Sequence, residues 1–180
     1  MKRLSIPAVC LALCALLSAT MVIPVSVEQL TQQSNYVLEG TALQQWAKWN
    51  PQHSLIFTYT RFQVTRTLKG KVPETLVVKQ IGGSAEGYTQ KVAGVRHWRP
   101  GEQAVLFLNP SKNLDGTLEV TGLMQGNFLL ERSSSGQTVV SNGVSQVTAL
   151  QTGTAQIGVY HGSRMALTDL EQRIEKAVRK

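Results

Sequence analysis

The clearest pattern in the chain is a two-residue alternation over positions 55–68, where Ile56, Thr58, Thr60, Phe62, Val64 and Leu68 fall on one parity. Alternation of this kind marks a strand with one face in a core. Arg66 interrupts that face and predicts a bulge or the open end of the strand. The other parity carries Phe57, Tyr59 and Arg61, a face partly exposed or covered by a neighbour. Further strands are predicted at 36–45, 74–81, 103–108, 118–121, 127–132 and 138–141, with one more near 157–160 in an otherwise ambiguous stretch. Turn signals separate them: Lys69-Gly70-Lys71, Pro100-Gly101 and Asn109-Pro110. Residues 82–94 read as a glycine-punctuated loop, and 113–116 and 133–137 as hairpin loops.

Two helices frame this region. Ser26-Val27-Glu28-Gln29 is a capping-box pattern opening a short helix to about Gln33. Thr168-Asp169-Leu170-Glu171 is a second one, and Leu167, Leu170, Ile174, Ala177 and Val178 line one face of a helix over 167–180. Short strands with a terminal helix predict a mainly β fold, a small OB-like β-barrel with a C-terminal α-helix. The long second strand and a glycine-rich rim fit that barrel type.

The chain's opening changes the picture. Met1-Lys2-Arg3 precedes an uncharged, largely apolar run that exits through Ser18, Ala19 and Thr20, the parts of a secretory signal. An uncleaved anchor is the competing reading, since no charge occurs from Leu4 to Val27, but Pro7 and Pro24 interrupt the run. Residues 1–25 are therefore expected to be a leader without a clean Ala-x-Ala cleavage site, and 26–180 one barrel domain. The expected location is exported, periplasmic or secreted, with no stable membrane insertion once the leader is cut. Cys10 and Cys14 both lie in the leader, and Val9 and Leu13 before them are poor lipidation contexts. The remaining domain, about 155 residues, holds no thiol and must rely on a packed core.

The chain of 180 residues carries a formal charge of +7, of which Lys2 and Arg3 contribute two. The excess concentrates at Arg61, Arg66, Lys69, Lys71, Lys79, Lys91, Arg96 and Arg99, against Glu74 and Glu86. Such a stretch either attracts anionic surfaces and polymers or is a solvated basic face. Trp46, Trp49, Phe57 and Tyr59 flank 48–53 and, with Arg61, suggest a stacking platform beside a cationic groove. The plainer alternative has Trp46 plugging a barrel end and Trp49 pinning the loop. Catalytic patterns do not stand out. His53, His97 and His161 are far apart, no Gly-x-Ser-x-Gly elbow occurs, and residues 82–87 lack the Lys-Ser/Thr ending of a phosphate loop. Of the possible acids Glu39, Glu86, Glu102, Glu119 and Glu131, none is singled out.

Several segments occur in a telling order: Tyr36-Val37-Leu38-Glu39-Gly40, then 62–70 ending in Lys69-Gly70, then Leu76-Val77-Val78, then 101–108 opening with Gly101-Glu102. Over about 35–132 this layout resembles the barrel of netrin modules and tissue inhibitors of metalloproteinases. It is closer still to uncharacterised exported bacterial proteins, in which Gly82-Gly83 and Gly126-Asn127-Phe128 extend the pattern. The resemblance implies a barrel. It does not imply that family's inhibitory mechanism, which uses a mature N-terminal cysteine that this chain lacks.

The reading that results is a non-catalytic extracytoplasmic module binding a protein or an anionic polymer at the cell surface, with no cofactor, no metal and no nucleic acid expected. Its expected contact residues are Trp46, Trp49, Tyr59, Arg61, Lys69, Lys71, Arg96 and Arg99. The alternatives are an exported hydrolase with a dispersed active site and a periplasmic protease inhibitor or accessory protein.

Overall fold

A computed structural model describes residues 21–113, 115–142, 147–150, 157–160 and 162–179. The expected leader therefore falls mostly outside the described residues, as does His161. In chain order the first elements are β1 (Met21–Val22), α1 (Val27–Gln33), β2 (Tyr36–Trp49), β3 (Ile56–Lys69), β4 (Thr75–Ile81), β5 (Gly83–Ala85) and β6 (Tyr88–Gln90). They are followed by β7 (Gln103–Pro110), β8 (Leu118–Val120), β9 (Asn127–Arg132), β10 (Thr138–Ser141), β11 (Val147–Leu150), β12 (Ile157–Tyr160), β13 (Arg164–Ala166) and α2 (Leu167–Val178). Among the described residues no helix is long and apolar enough to cross a membrane.

Five strands close on themselves. β2 pairs with β3, β3 with β4, β4 with β8, β8 with β7, and β7 returns to β2. Only the β4–β8 contact in this ring is parallel. This first-second-third-fifth-fourth order is that of the OB-type barrel expected from the sequence. Closure removes sheet edges that would otherwise seek partners. β7 is the shared wall: Ala104, Leu106 and Leu108 fill the barrel, whereas Val105 and Phe107 feed a second core under the helices. Its unbroken apolar run is the signature of a strand buried on both faces. β9 pairs with the first half of β7, and β10 and β13 extend the sheet outward.

The alternating face of β3 is the barrel interior, with Ile56, Thr58, Thr60 and Phe62 all buried. Beyond Phe62 the register shifts. Gly40 faces Val64 while Glu39 faces Arg66, leaving Thr65 as an extra residue. A bulge swings the next side chain to the other face, so Arg66 meets Glu171 of α2 instead of breaking the core.

The second core holds Val27 and Leu30 of α1 and Leu170 and Ile174 of α2. The expected box at Ser26 is present, with the Ser26 hydroxyl accepting from the Gln29 amide and the Gln29 side chain accepting from the Ser26 amide. The box expected at Thr168 is not. Pairing of β13 with β10 keeps the backbone extended through Ala166, so Leu167 is already helical and Ala166 caps without a side-chain bond. Arg173 grips Glu28 with two 2.7 Å hydrogen bonds, joining the helices. That fork holds the Glu28 carboxyl down at about 2.

The 82–94 segment, expected to be an irregular loop, contains an antiparallel hairpin, β5–β6. Its turn residues Glu86 and Gly87 both have positive φ, at 52° and 81°, as a two-residue primed turn requires. Gly83 brings the hairpin back onto β3 so closely that a Cβ there would lie 2.2 Å from Thr58 Oγ1.

Candidate binding face

Residues directly opposite each other in a sheet point to the same side. Between β2 and β3, Gln44 faces Arg61, Trp46 faces Tyr59, and Lys48 faces Phe57. Across β4 the rows continue with Val77, Lys79 and Ile81, opposite Arg61, Tyr59 and Phe57. Thr58 and Thr60 point inward, so these rows form the outer wall of the barrel. Trp46 and Tyr59 stack with ring planes only 9° apart and centroids 5.8 Å apart.

Three cations sit over three rings. Arg61 lies 5.7 Å from the Trp46 ring centre, Lys48 Nζ 4.9 Å from Tyr59, and Lys79 Nζ 4.5 Å from Phe57. Each cation covers the diagonal neighbour rather than the residue directly opposite, because strand twist brings one diagonal together. Among the described residues Lys48 and Arg61 have no carboxylate partner. The one hydrogen bond of the Arg61 side chain among the described residues is a long 3.5 Å contact with Gln44.

Two loops frame one end of this wall. In the 50–55 loop, Asn50 Oδ1 accepts from the amides of Ser54 and Leu55 at 2.8 and 3.1 Å. His53, at φ 50°, stacks on Trp49 with centroids 5.6 Å apart, and Tyr88 of β6 meets Trp49 edge-on. In the 111–117 loop, Asp115 Oδ2 lies 3.2 Å from Lys79 Nζ. The Thr117 hydroxyl above all, with its amide and Lys79, outweighs the opposing effect of burial and holds the Asp115 carboxyl at about 2. Between the loops lies a cleft of about 680 Å³, lined by Trp49, Phe57, Tyr59, Lys79 and Asp115 among others. That is within the size of small-ligand clefts, about 300–1,000 Å³.

The expected contact residues divide into three groups. Trp46, Tyr59 and Arg61 come together on the wall, and Trp49 stands at its loop end. Trp49 does pin the 50–55 loop through His53, but Trp46 does not plug the barrel. That position belongs to Trp98, fully buried, edge-on to Phe62 at 4.9 Å and donating to Asn127 Oδ1 at 2.8 Å. Lys69 ends β3, ten residues from Tyr59 and so roughly 30 Å along the strand, and Lys71 lies just beyond it. Lys69 Nζ donates to the carbonyls of Thr31 and Ser34, both at 2.6 Å, where it satisfies the end of α1. Arg96 forks onto Glu102 at 2.7 and 3.0 Å, and the Arg99 amide donates to the same carboxylate. Burial pushes Glu102 up, but Arg96 and the Arg99 amide outweigh it and hold the carboxyl below its usual range.

The expected contact set omits Lys48, Phe57, Lys79 and Asp115, although Phe57 stands in the stacking platform and Lys79 in the basic stretch that the sequence suggests. Asp115 was not detectable, because its partner Lys79 is 36 residues away. Another groove, of about 420 Å³, runs between the end of β3 and α2, but its cations Arg66 and Arg179 are already paired with Glu171 and Glu175. Among the described residues no three His, Cys, Asp or Glu side chains gather as metal ligands. Compared with known proteins, the chain matches no family model, and no curated sequence is significantly similar to it.

Proposed function

We propose that the chain is a non-catalytic extracytoplasmic module that holds an acidic polysaccharide across the outer wall of β2, β3 and β4. The observation that carries this reading is the pair of near-parallel rings Trp46 and Tyr59, bordered by Lys48 and Arg61 without carboxylate partners. Flat rings take the faces of sugars, and cations at their borders take the acid groups. The cation–ring contacts do not stand in the way. An exposed one contributes about 0.5–1 kcal/mol, whereas a hydrogen bond to a charged group contributes about 1.5–3 kcal/mol. A ligand carboxylate therefore draws Lys48 or Arg61 off its ring and leaves the ring free for stacking.

The position of the wall supports the same reading, since OB-type barrels take oligosaccharides and oligonucleotides on this face and its flanking loops. The leader-like opening favours a glycan over a nucleic acid. The netrin-module resemblance agrees with the barrel and brings no inhibitory mechanism, because the chain's two cysteines, Cys10 and Cys14, lie in the expected leader.

The test is calorimetric titration with a galacturonate hexamer across a range of salt concentrations. Binding should weaken steeply with salt, since exposed charges are screened within about 8 Å at physiological ionic strength. Trp46→Ala should weaken it about tenfold, the lower part of the roughly 1–3 kcal/mol that alanine substitution costs a base stacked on a ring, without lowering the melting temperature appreciably. Salt-insensitive binding, or a Trp46→Ala variant that binds as well as the wild type, contradicts the proposal.

A further inference from the structure

We propose that Lys79 is a carboxylate subsite in the floor of this cleft, and that Asp115 occupies it as an internal stand-in for an acid group of the ligand. The inference rests on the binding reading above and deepens it. The Lys79 side chain is only 4 % exposed, yet it lines the open cleft beside Tyr59 and Phe57. Its ammonium meets one carboxylate, Asp115, and one ring, Phe57.

Three features make Asp115 displaceable. Its 3.2 Å contact is the longest ion pair among the described residues, whereas Arg173–Glu28 and Arg96–Glu102 close to 2.7 Å. Charge-assisted bonds of this kind settle near 2.7–2.9 Å, so the pair is not at its optimum. The loop does not depend on it either. Asp115 Oδ1 accepts from the Thr117 amide and hydroxyl, and the Ser111 amide donates to the Thr117 carbonyl at 2.9 Å. Turning the carboxylate so that Oδ2 leaves Lys79 also moves Oδ1, but the Ser111–Thr117 backbone bond still closes the loop. Finally, Tyr59 faces Lys79 directly in the register, so a sugar stacked on Tyr59 presents its acid group to Lys79. Glu119, which also faces Lys79 and accepts from the Ser111 hydroxyl, stays beside the subsite and limits the gain.

The experiment titrates the galacturonate hexamer, a neutral galactose hexamer and a thymidylate hexamer into the wild type, Asp115→Asn, Lys79→Gln and the double variant. Asn keeps the Oδ1 acceptor for Thr117 and removes only the charge facing Lys79, and a thermal melt checks that each variant is folded. Asp115→Asn should bind the acidic sugar about fivefold more tightly than the wild type. Lys79→Gln should bind it more weakly, and adding Asp115→Asn to Lys79→Gln should restore nothing. If Lys79→Gln does not fold, the Asp115→Asn comparison still decides. Wild-type binding unchanged or weakened by Asp115→Asn overturns the stand-in role while leaving the binding face intact. An equal gain in the Lys79→Gln background overturns Lys79 as the subsite. Binding of the acidic sugar by neither the wild type nor Asp115→Asn overturns both readings, and a preference for the thymidylate or the neutral sugar overturns the carboxylate as occupant.

Discussion

Replacing Trp98 by alanine is expected to destabilise the domain by about 3–5 kcal/mol, the range for removing a large buried aromatic. Trp98 is wholly buried in the barrel core beside Phe62, Leu76 and Val78. Truncation leaves a cavity and also strips Asn127 Oδ1 of the indole donor that reaches it at 2.8 Å. Since total stabilities run to about 5–15 kcal/mol, the variant should be largely unfolded at moderate urea. Trp98→Phe should fall between the two, because it refills most of the space and restores no donor. Urea denaturation of the three proteins is the check. A Trp98→Ala midpoint close to wild type would mean that this ring does not plug the barrel.

The second large effect is expected at Thr60. Its side chain points into the same core, 1 % exposed, and its hydroxyl has no hydrogen-bond partner among the described residues. Thr60→Lys would force an ammonium into that space, at a cost of about 3 kcal/mol or more whether it stays charged or gives up its proton. Gln63→Lys lies on the opposite parity, where the native side chain is only half-buried and donates to the Glu74 carbonyl. It should be tolerated to within about 1 kcal/mol. Equal melting temperatures for the two variants would show that the inner and outer faces of β3 are misassigned.

These two positions show what was legible in the chain. Thr60 could be placed from sequence because alternation over 56–62 carries its own face assignment. The same logic found β7, whose unbroken apolar run reflects burial on both faces. Trp98 was hidden because it lies in the aperiodic segment between Gly94 and Pro100, where no period says which way a ring points. Arg66 was visible as a break in the pattern, but the bulge at Thr65 that explains it depends on β2 and its register. Thr168 misled for a related reason, since the pairing of β13 with β10, not the local capping pattern, sets where α2 begins.

The candidate site was legible in part. Trp46, Tyr59 and Arg61 were grouped because they flank one loop, and the register of β2 on β3 brings them together. Lys69 and Lys71 were grouped with them by proximity along the chain. An extended strand carries such neighbours away at about 3.3 Å per residue, and Lys69 serves the end of α1 instead. Charge clustered in sequence is thus a poor guide to charge clustered on a β surface.

The outer wall of β2, β3 and β4 is proposed as the surface that holds ligand. Following backbone amide resonances during titration with a galacturonate hexamer tests this most directly, because every residue reports separately. Shifts should concentrate at Trp46, Lys48, Phe57, Tyr59, Arg61 and Lys79 and in the loops that carry His53 and Asp115, with Lys69, Lys71 and α2 unmoved. Shifts centred on α2 and the end of β3, or none at saturating ligand, would contradict it.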